Sequence, residues 1–67
     1  MREWLLETRK AKGMTQLEVA DKLGITESYY SFIEKGERQK KMSVDIAAKL
    51  SVVFGIPVDE IIALEQS

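Results

Sequence analysis

Apolar residues recur along this chain at three- and four-residue intervals, and glycines interrupt the runs. Leu5, Thr8 and Lys12 form one stripe, flanked by Trp4 and Ala11, which predicts a first helix over about residues 2–12, ended by Gly13. The T-x-x-E pattern from Thr15 to Glu18 is a capping box, so Thr15 opens a second helix. Its inward stripe reads Leu17, Ala20 and Leu23, and Gly24 stops it. Ile25 is an apolar residue held in the turn. Thr26 caps a third helix over about residues 27–35, and Gly36 ends it. After a polar stretch, Ser43 caps a fourth helix with Ile46, Ala47, Leu50, Val53 and Phe54 inward and Gly55 at its end. Pro57 starts a fifth, with Asp59 and Glu60 in the first turn, where the helix dipole favours anions. No alternating run predicts a strand. The reading is an all-α chain of five short helices forming a single domain over residues 1–67.

The spacing from Thr15 to Gly36 carries the most information. Two short helices are joined by only Gly24, Ile25 and Thr26. So tight a turn makes them cross steeply and projects the second beyond the first, which is helix-turn-helix geometry. Ala20 is small where the two must approach, and Gly24 suits the left-handed exit from a helix.

The second helix of this pair holds Tyr29, Tyr30 and Phe32, three of the chain's five aromatics. They cannot share one face. With Tyr30 at 0° and about 100° per residue, Ile33 falls near 300° and Glu34 near 40°, whereas Ser28 falls near 160° and Phe32 near 200°. Tyr30 therefore turns inward with Ile33, its hydroxyl reaching solvent or a partner at the edge of the core. Tyr29 lies on the flank, open to core-edge packing or to a phosphate. Phe32 points away from the core with Ser28, near Glu27. An aromatic there suits thymine methyl groups in a major groove, Ser28 suits either kind of base edge, and Glu27 suits a cytosine amino group. The plainer alternatives are a Phe32 packed on the following loop or a dimer partner, and a solvated Glu27.

The net charge of −1 argues against a polyanion ligand only until its distribution is considered. Residues 35–41, KGERQKK, set Lys35, Arg38, Lys40 and Lys41 against Glu37, a local +3 directly after the third helix. Residues 42–67 carry −3. A polyanion meets the local field within a Debye length of about 8 Å. With neither Cys nor His, the chain has no disulfide framework, no thiolate or imidazole metal site and no nucleophile–His catalysis. Scattered carboxylates are the only support for an enzyme. No membrane-length apolar run or signal-peptide pattern is present, so the expectation is a small cytoplasmic protein with no cofactor, metal or membrane partner.

The stretch TQLEVADKLGITESYYSFIEKGER resembles the helix-turn-helix of Cro and phage-repressor (Xre-type) DNA-binding domains, and the resemblance extends over about residues 3–64. Arg9, Gln16, Ala20, Gly24, Ile33, Glu34 and Gly36 carry it. It implies a five-helix, lambda-repressor-like domain. By position it implies a structural ion pair between Arg9 and Glu34, phosphate contacts from Gln16 and Thr26, and base reading by Glu27, Ser28 and Phe32. Lys35 stands where the family usually has Asn before the glycine, the usual proline before the fourth helix is absent, and the loop after Gly36 is about two residues longer.

The expected function is a sequence-specific transcriptional regulator, a repressor, that binds a two-fold site on double-stranded DNA as a homodimer. Tyr29, Lys35, Arg38, Lys40 and Lys41 join Gln16 and Thr26 as phosphate candidates. On the fifth helix Ile61, Ile62 and Leu64 cannot share one face. Ile61 is assigned to the core, and Val58, Ile62 and Leu64 are left as the dimer interface. The rival reading is a protein-interaction module, such as an antitoxin-like partner, using the same fold.

Overall fold

Side-chain oxygens start three of the helices. Thr15 accepts from the Glu18 backbone N–H at 3.1 Å, Thr26 from that of Tyr29 at 3.1 Å, and Ser43 from that of Ile46 at 3.2 Å. Each satisfies a donor that the first turn leaves unpaired. The Thr15 box is reciprocal, because its own N–H donates to Glu18 Oε1 at 2.9 Å. The computed structural model describes residues 1–36 and 42–66. Its helices are α1 (Glu3–Ala11), α2 (Gln16–Leu23), α3 (Glu27–Lys35), α4 (Val44–Phe54) and α5 (Val58–Gln66). Among the described residues there is no strand.

One core draws on all five helices: Leu5 from α1, Val19, Ala20 and Leu23 from α2, Tyr30 and Ile33 from α3, Ile46, Ala47, Leu50 and Phe54 from α4, and Ile61 from α5. Val53 and the turn residue Ile25 pack against it half-buried. Lys49 on α4 reaches across to the Leu23 carbonyl at 3.4 Å, a cation at the negative end of α2.

Two expectations about facing residues are corrected. Leu17 is 50 % exposed, whereas Val19 is fully buried. Measured from Leu17 at about 100° per residue, Val19, Leu23, Gln16 and Ala20 span about 200° to 300°, so the inward face of α2 is centred away from Leu17. On α1, Leu5 is buried as read, but Ala11 and Lys12 are exposed and Arg9, one turn after Leu5, takes the inward place. The stripe through Thr8 and Lys12 passes over Arg9, a charged residue that is buried because it is paired.

Candidate nucleic-acid interface

The turn between α2 and α3 is closed by backbone. Gly24 adopts φ 74°, the Ile25 N–H donates to the Ala20 carbonyl at 3.0 Å, and Ile25 is left with its side chain on the core. This satisfies carbonyls at the end of α2 and starts α3 within three residues. Ala20 is fully buried under the crossing.

Tyr30, Ile33 and Glu34 anchor the inner side of α3. Its other side carries Glu27, Ser28, Ser31, Phe32 and Lys35, which line an open cleft together with Gln16 from the start of α2. Glu27, Ser28 and Lys35 are exposed, and Ser31 and Phe32 half-buried. The three residues proposed to read bases and one of the phosphate cations thus share one surface with Gln16. Ser31, at about 100° on the wheel between Glu27 and Ser28, belongs there too. Thr26 is exposed at the N-cap, and Tyr29 packs half-buried on the core near Ile33, Met42 and Ile46. Arg38, Lys40 and Lys41 lie outside the described residues.

Beneath the cleft is a buried ionic cluster. Arg9 Nε donates to Glu34 Oε2 at 2.6 Å and Nη2 to Oε1 at 3.3 Å, while Nη1 donates to the Met14 carbonyl at 2.9 Å. Gln16 Nε2 adds a donor to Glu34 Oε1 at 3.1 Å. For Glu34, burial is the largest single influence and pushes the carboxyl up. Arg9, the nearby Tyr30 hydroxyl and Gln16 together outweigh it and hold Glu34 below the usual carboxylate range. Glu34, chiefly through its hydrogen bond, raises Arg9 in turn. The Tyr30 hydroxyl corrects an expectation: it is buried and meets no partner at hydrogen-bonding geometry, instead of reaching the edge of the core. It still feels both charges. Burial first and then Glu34 push the phenol above its ordinary value.

A second charged cluster had no signal in the sequence. Arg2, only 8 % exposed, donates from Nε to both Glu65 oxygens at 2.9 Å and from Nη1 to the Ile33 carbonyl at 2.6 Å. Its backbone N–H reaches the Glu34 carbonyl at 2.8 Å, and the Trp4 indole N–H donates to Glu65 Oε2 at 2.8 Å. Periodicity and capping patterns are local, and nothing local relates residue 2 to residue 65.

On α5, Val58 (37 % exposed) and Ile62 (49 %) sit one turn apart on the outside. Leu64 is half-buried and lines a groove with Met1, Arg2, Trp4 and Glu65. Among the described residues no helix is long and apolar enough to cross a membrane.

A family model described as helix-turn-helix matches residues 5–61. The chain is 44 % identical over 55 residues to an uncharacterized HTH-type transcriptional regulator, YqaF, of Bacillus subtilis (strain 168), an alignment covering 82 % of this chain and 70 % of that protein. No solved structure matches at a significant level.

Proposed function

Because the chain belongs to the Xre-type helix-turn-helix family, we propose that it is a DNA-binding transcription regulator, a repressor that binds a two-fold operator as a homodimer with α3 in the major groove. One observation carries the reading: the side of α3 opposite its buried anchors opens, with Gln16, into a single cleft bearing Ser28, Phe32 and Lys35. Arg2 and Arg9 are buried in ion pairs, whereas Lys35 is exposed at the cleft and is followed in sequence by further basic residues, which makes this group the candidate to meet phosphate. Gln16 and the exposed Thr26 stand at the first turns of α2 and α3, whose unpaired N–H groups favour an anion. Helix α3 carries none of the Arg, Asn and Gln side chains that make bidentate base contacts, so phosphate contacts contribute a large share of the affinity and DNA shape a large share of the specificity.

The test is selection of bound sites from random DNA, followed by titration of the winning site with salt. Half-sites about one helical turn, roughly 34 Å, apart are expected. With about 4–8 charged phosphate contacts per dimer, log K falls against log salt with a slope of about −4 to −7. No enriched sequence and a flat salt response would exclude the reading.

A further inference from the structure

The last turn of a helix leaves its carbonyls without partners inside the helix. In α3 the Phe32 carbonyl is taken by the Gly36 N–H at 2.9 Å, as a glycine exit provides. The next two carbonyls, of Ile33 and Glu34, are taken by a residue far away in sequence: the Arg2 guanidinium serves the first and the Arg2 backbone N–H the second. Arg2 also lies against the exit turn, with its Nη1 3.7 Å from where a Cβ on Gly36 would stand. A positive charge at this end of α3 complements the helix dipole. A buried guanidinium requires a counter-charge. Glu65 on α5 supplies it through both oxygens, and the Trp4 indole N–H donates to one of them, Oε2.

From this arrangement we propose that Arg2 and Glu65 form a clasp that positions the C-terminal end of the recognition helix and joins it to α5. The inference rests on the DNA-binding reading. The clasped end of α3 is the end from which Phe32 and Lys35 face the cleft and from which the basic stretch departs. A small tilt there moves Phe32 more than it moves Glu27 and Ser28 in the capped first turn beside Thr26, and so changes how the three meet the bases together. Contacts to phosphate tolerate such a shift better than contacts to base edges do, because the phosphate field is not sequence-dependent. The clasp therefore acts on specificity. Because α5 also carries Val58 and Ile62 on its outside, whatever fixes α5 fixes the end of α3 through Glu65.

The clasp contains its own reporter, since Trp4 is the sole tryptophan. Two variants separate its parts. Glu65→Gln keeps the size and an acceptor but removes the charge. Arg2→Lys keeps the charge but loses the planar fork that serves Glu65 and Ile33 together. The selected DNA site and an unselected duplex are titrated with each variant well below its melting temperature, and the Trp4 indole N–H resonance is recorded by NMR. The expected result is a shifted indole resonance in both variants and a ratio of specific to non-specific affinity lowered about tenfold, within the range of one lost base contact. A purely structural role lowers the melting temperature and leaves that ratio unchanged in the folded protein. A shifted indole with an unchanged ratio in either folded variant overturns the clasp while the DNA reading stands. A wild type with no preference for any sequence overturns the DNA reading, and the positioning role with it.

Discussion

The side-chain nitrogen of Gln16 lies 3.1 Å from Glu34 Oε1, so the first residue of α2 is fastened to the buried ion pair beneath α3. A carboxylate can only accept, which fixes which end of the amide faces Glu34. One amide proton is engaged there and the other remains for an outside acceptor. The ionic cluster thus orients a residue at the rim of the cleft as well as tying α1 to α3. Gln16→Ala is expected to weaken binding to all DNA sequences alike, by about tenfold per subunit for one hydrogen bond to a charged phosphate. The slope against salt should stay unchanged, because no charge is lost, and melting should change little, because Arg9 still pairs Glu34. Titrations of selected and unselected duplexes over a salt series check this. A loss confined to the selected sequence would make Gln16 a base reader instead.

Arg9 and Glu34 are expected to behave as one unit. Arg9→Met strands a carboxylate that is almost fully buried and should destabilise the fold by about 3–5 kcal/mol. Arg9→Met/Glu34→Leu should recover much of that loss. Thermal or denaturant melts of the four proteins close the cycle, and additive losses would show that the contact contributes nothing.

The limits of the sequence reading follow from what kind of interaction sets each feature. Helix starts at Thr15, Thr26 and Ser43 and exits at Gly24 and Gly36 were legible because a cap and its helix are neighbours in the chain. The inward placement of Tyr30 and Ile33 followed from the wheel of α3. Leu17 misled because it is apolar and correctly spaced from Ala20, although the buried arc of α2 is centred beyond it on Val19 and Leu23. Arg9 opposite Glu34 came only through the family resemblance. Arg2 with Glu65 came through nothing, since their pairing depends on how α1, α3 and α5 assemble. The cleft face was partly legible, because the wheel of α3 set Ser28 and Phe32 opposite Tyr30 and Ile33.

The depressed Glu34 carboxyl makes stability depend on acid. A carboxyl lowered in the folded state stabilises above its unfolded pKa of about 4.3, and that contribution is lost as pH falls through the lower folded value. The melting temperature should therefore be level from pH 7 to about 5 and drop below about 4. Glu34→Gln should melt lower at pH 7, with Arg9 left unpaired, and show a shallower acid limb. The exposed Glu18, lowered by the Thr15 backbone N–H, keeps its own share of that limb in the variant. An acid limb of identical steepness in both proteins would remove Glu34 as its cause.

Phe32 and Lys35 share the cleft but should fail differently. Phe32→Ala removes a half-buried ring and should relax preference at one or two A·T positions per half-site, by about 1–3 kcal/mol, with melting nearly unchanged. Lys35→Ala removes an exposed cation and should weaken all sequences equally, reducing the salt slope by about 1 per subunit. Site selection repeated with each variant distinguishes them. Should Phe32→Ala unfold the protein with base preference intact in the folded fraction, the ring is a packing element.

Homodimer formation is expected through the outside of α5. Ile61 turns fully into the core, and Val58 and Ile62, one turn apart and about 60° and 100° round from it, present adjoining apolar surface. Leu64, the third residue expected in this interface, instead lines the groove beside Arg2, Trp4 and Glu65, so its substitution tests something else. A two-fold axis through the Val58–Ile62 surface makes the contact isologous, each patch meeting its own copy, and adds apolar burial that a 67-residue chain uses to raise a modest stability. It also sets two copies of α3 at a fixed separation, which for successive major grooves is about 34 Å. Ile62→Glu places a charge in the centre of that patch without touching the core. Sedimentation at micromolar concentration should show a dimer for the wild type and a monomer with unchanged helix content for Ile62→Glu, and the variant should lose cooperativity on a two-half-site operator while still binding a single half-site. Leu64→Glu should instead lower the melting temperature by disturbing the groove around Arg2. A wild type that stays monomeric off DNA and binds without cooperativity, or an Ile62→Glu protein that assembles as before, would place the interface elsewhere on the molecule.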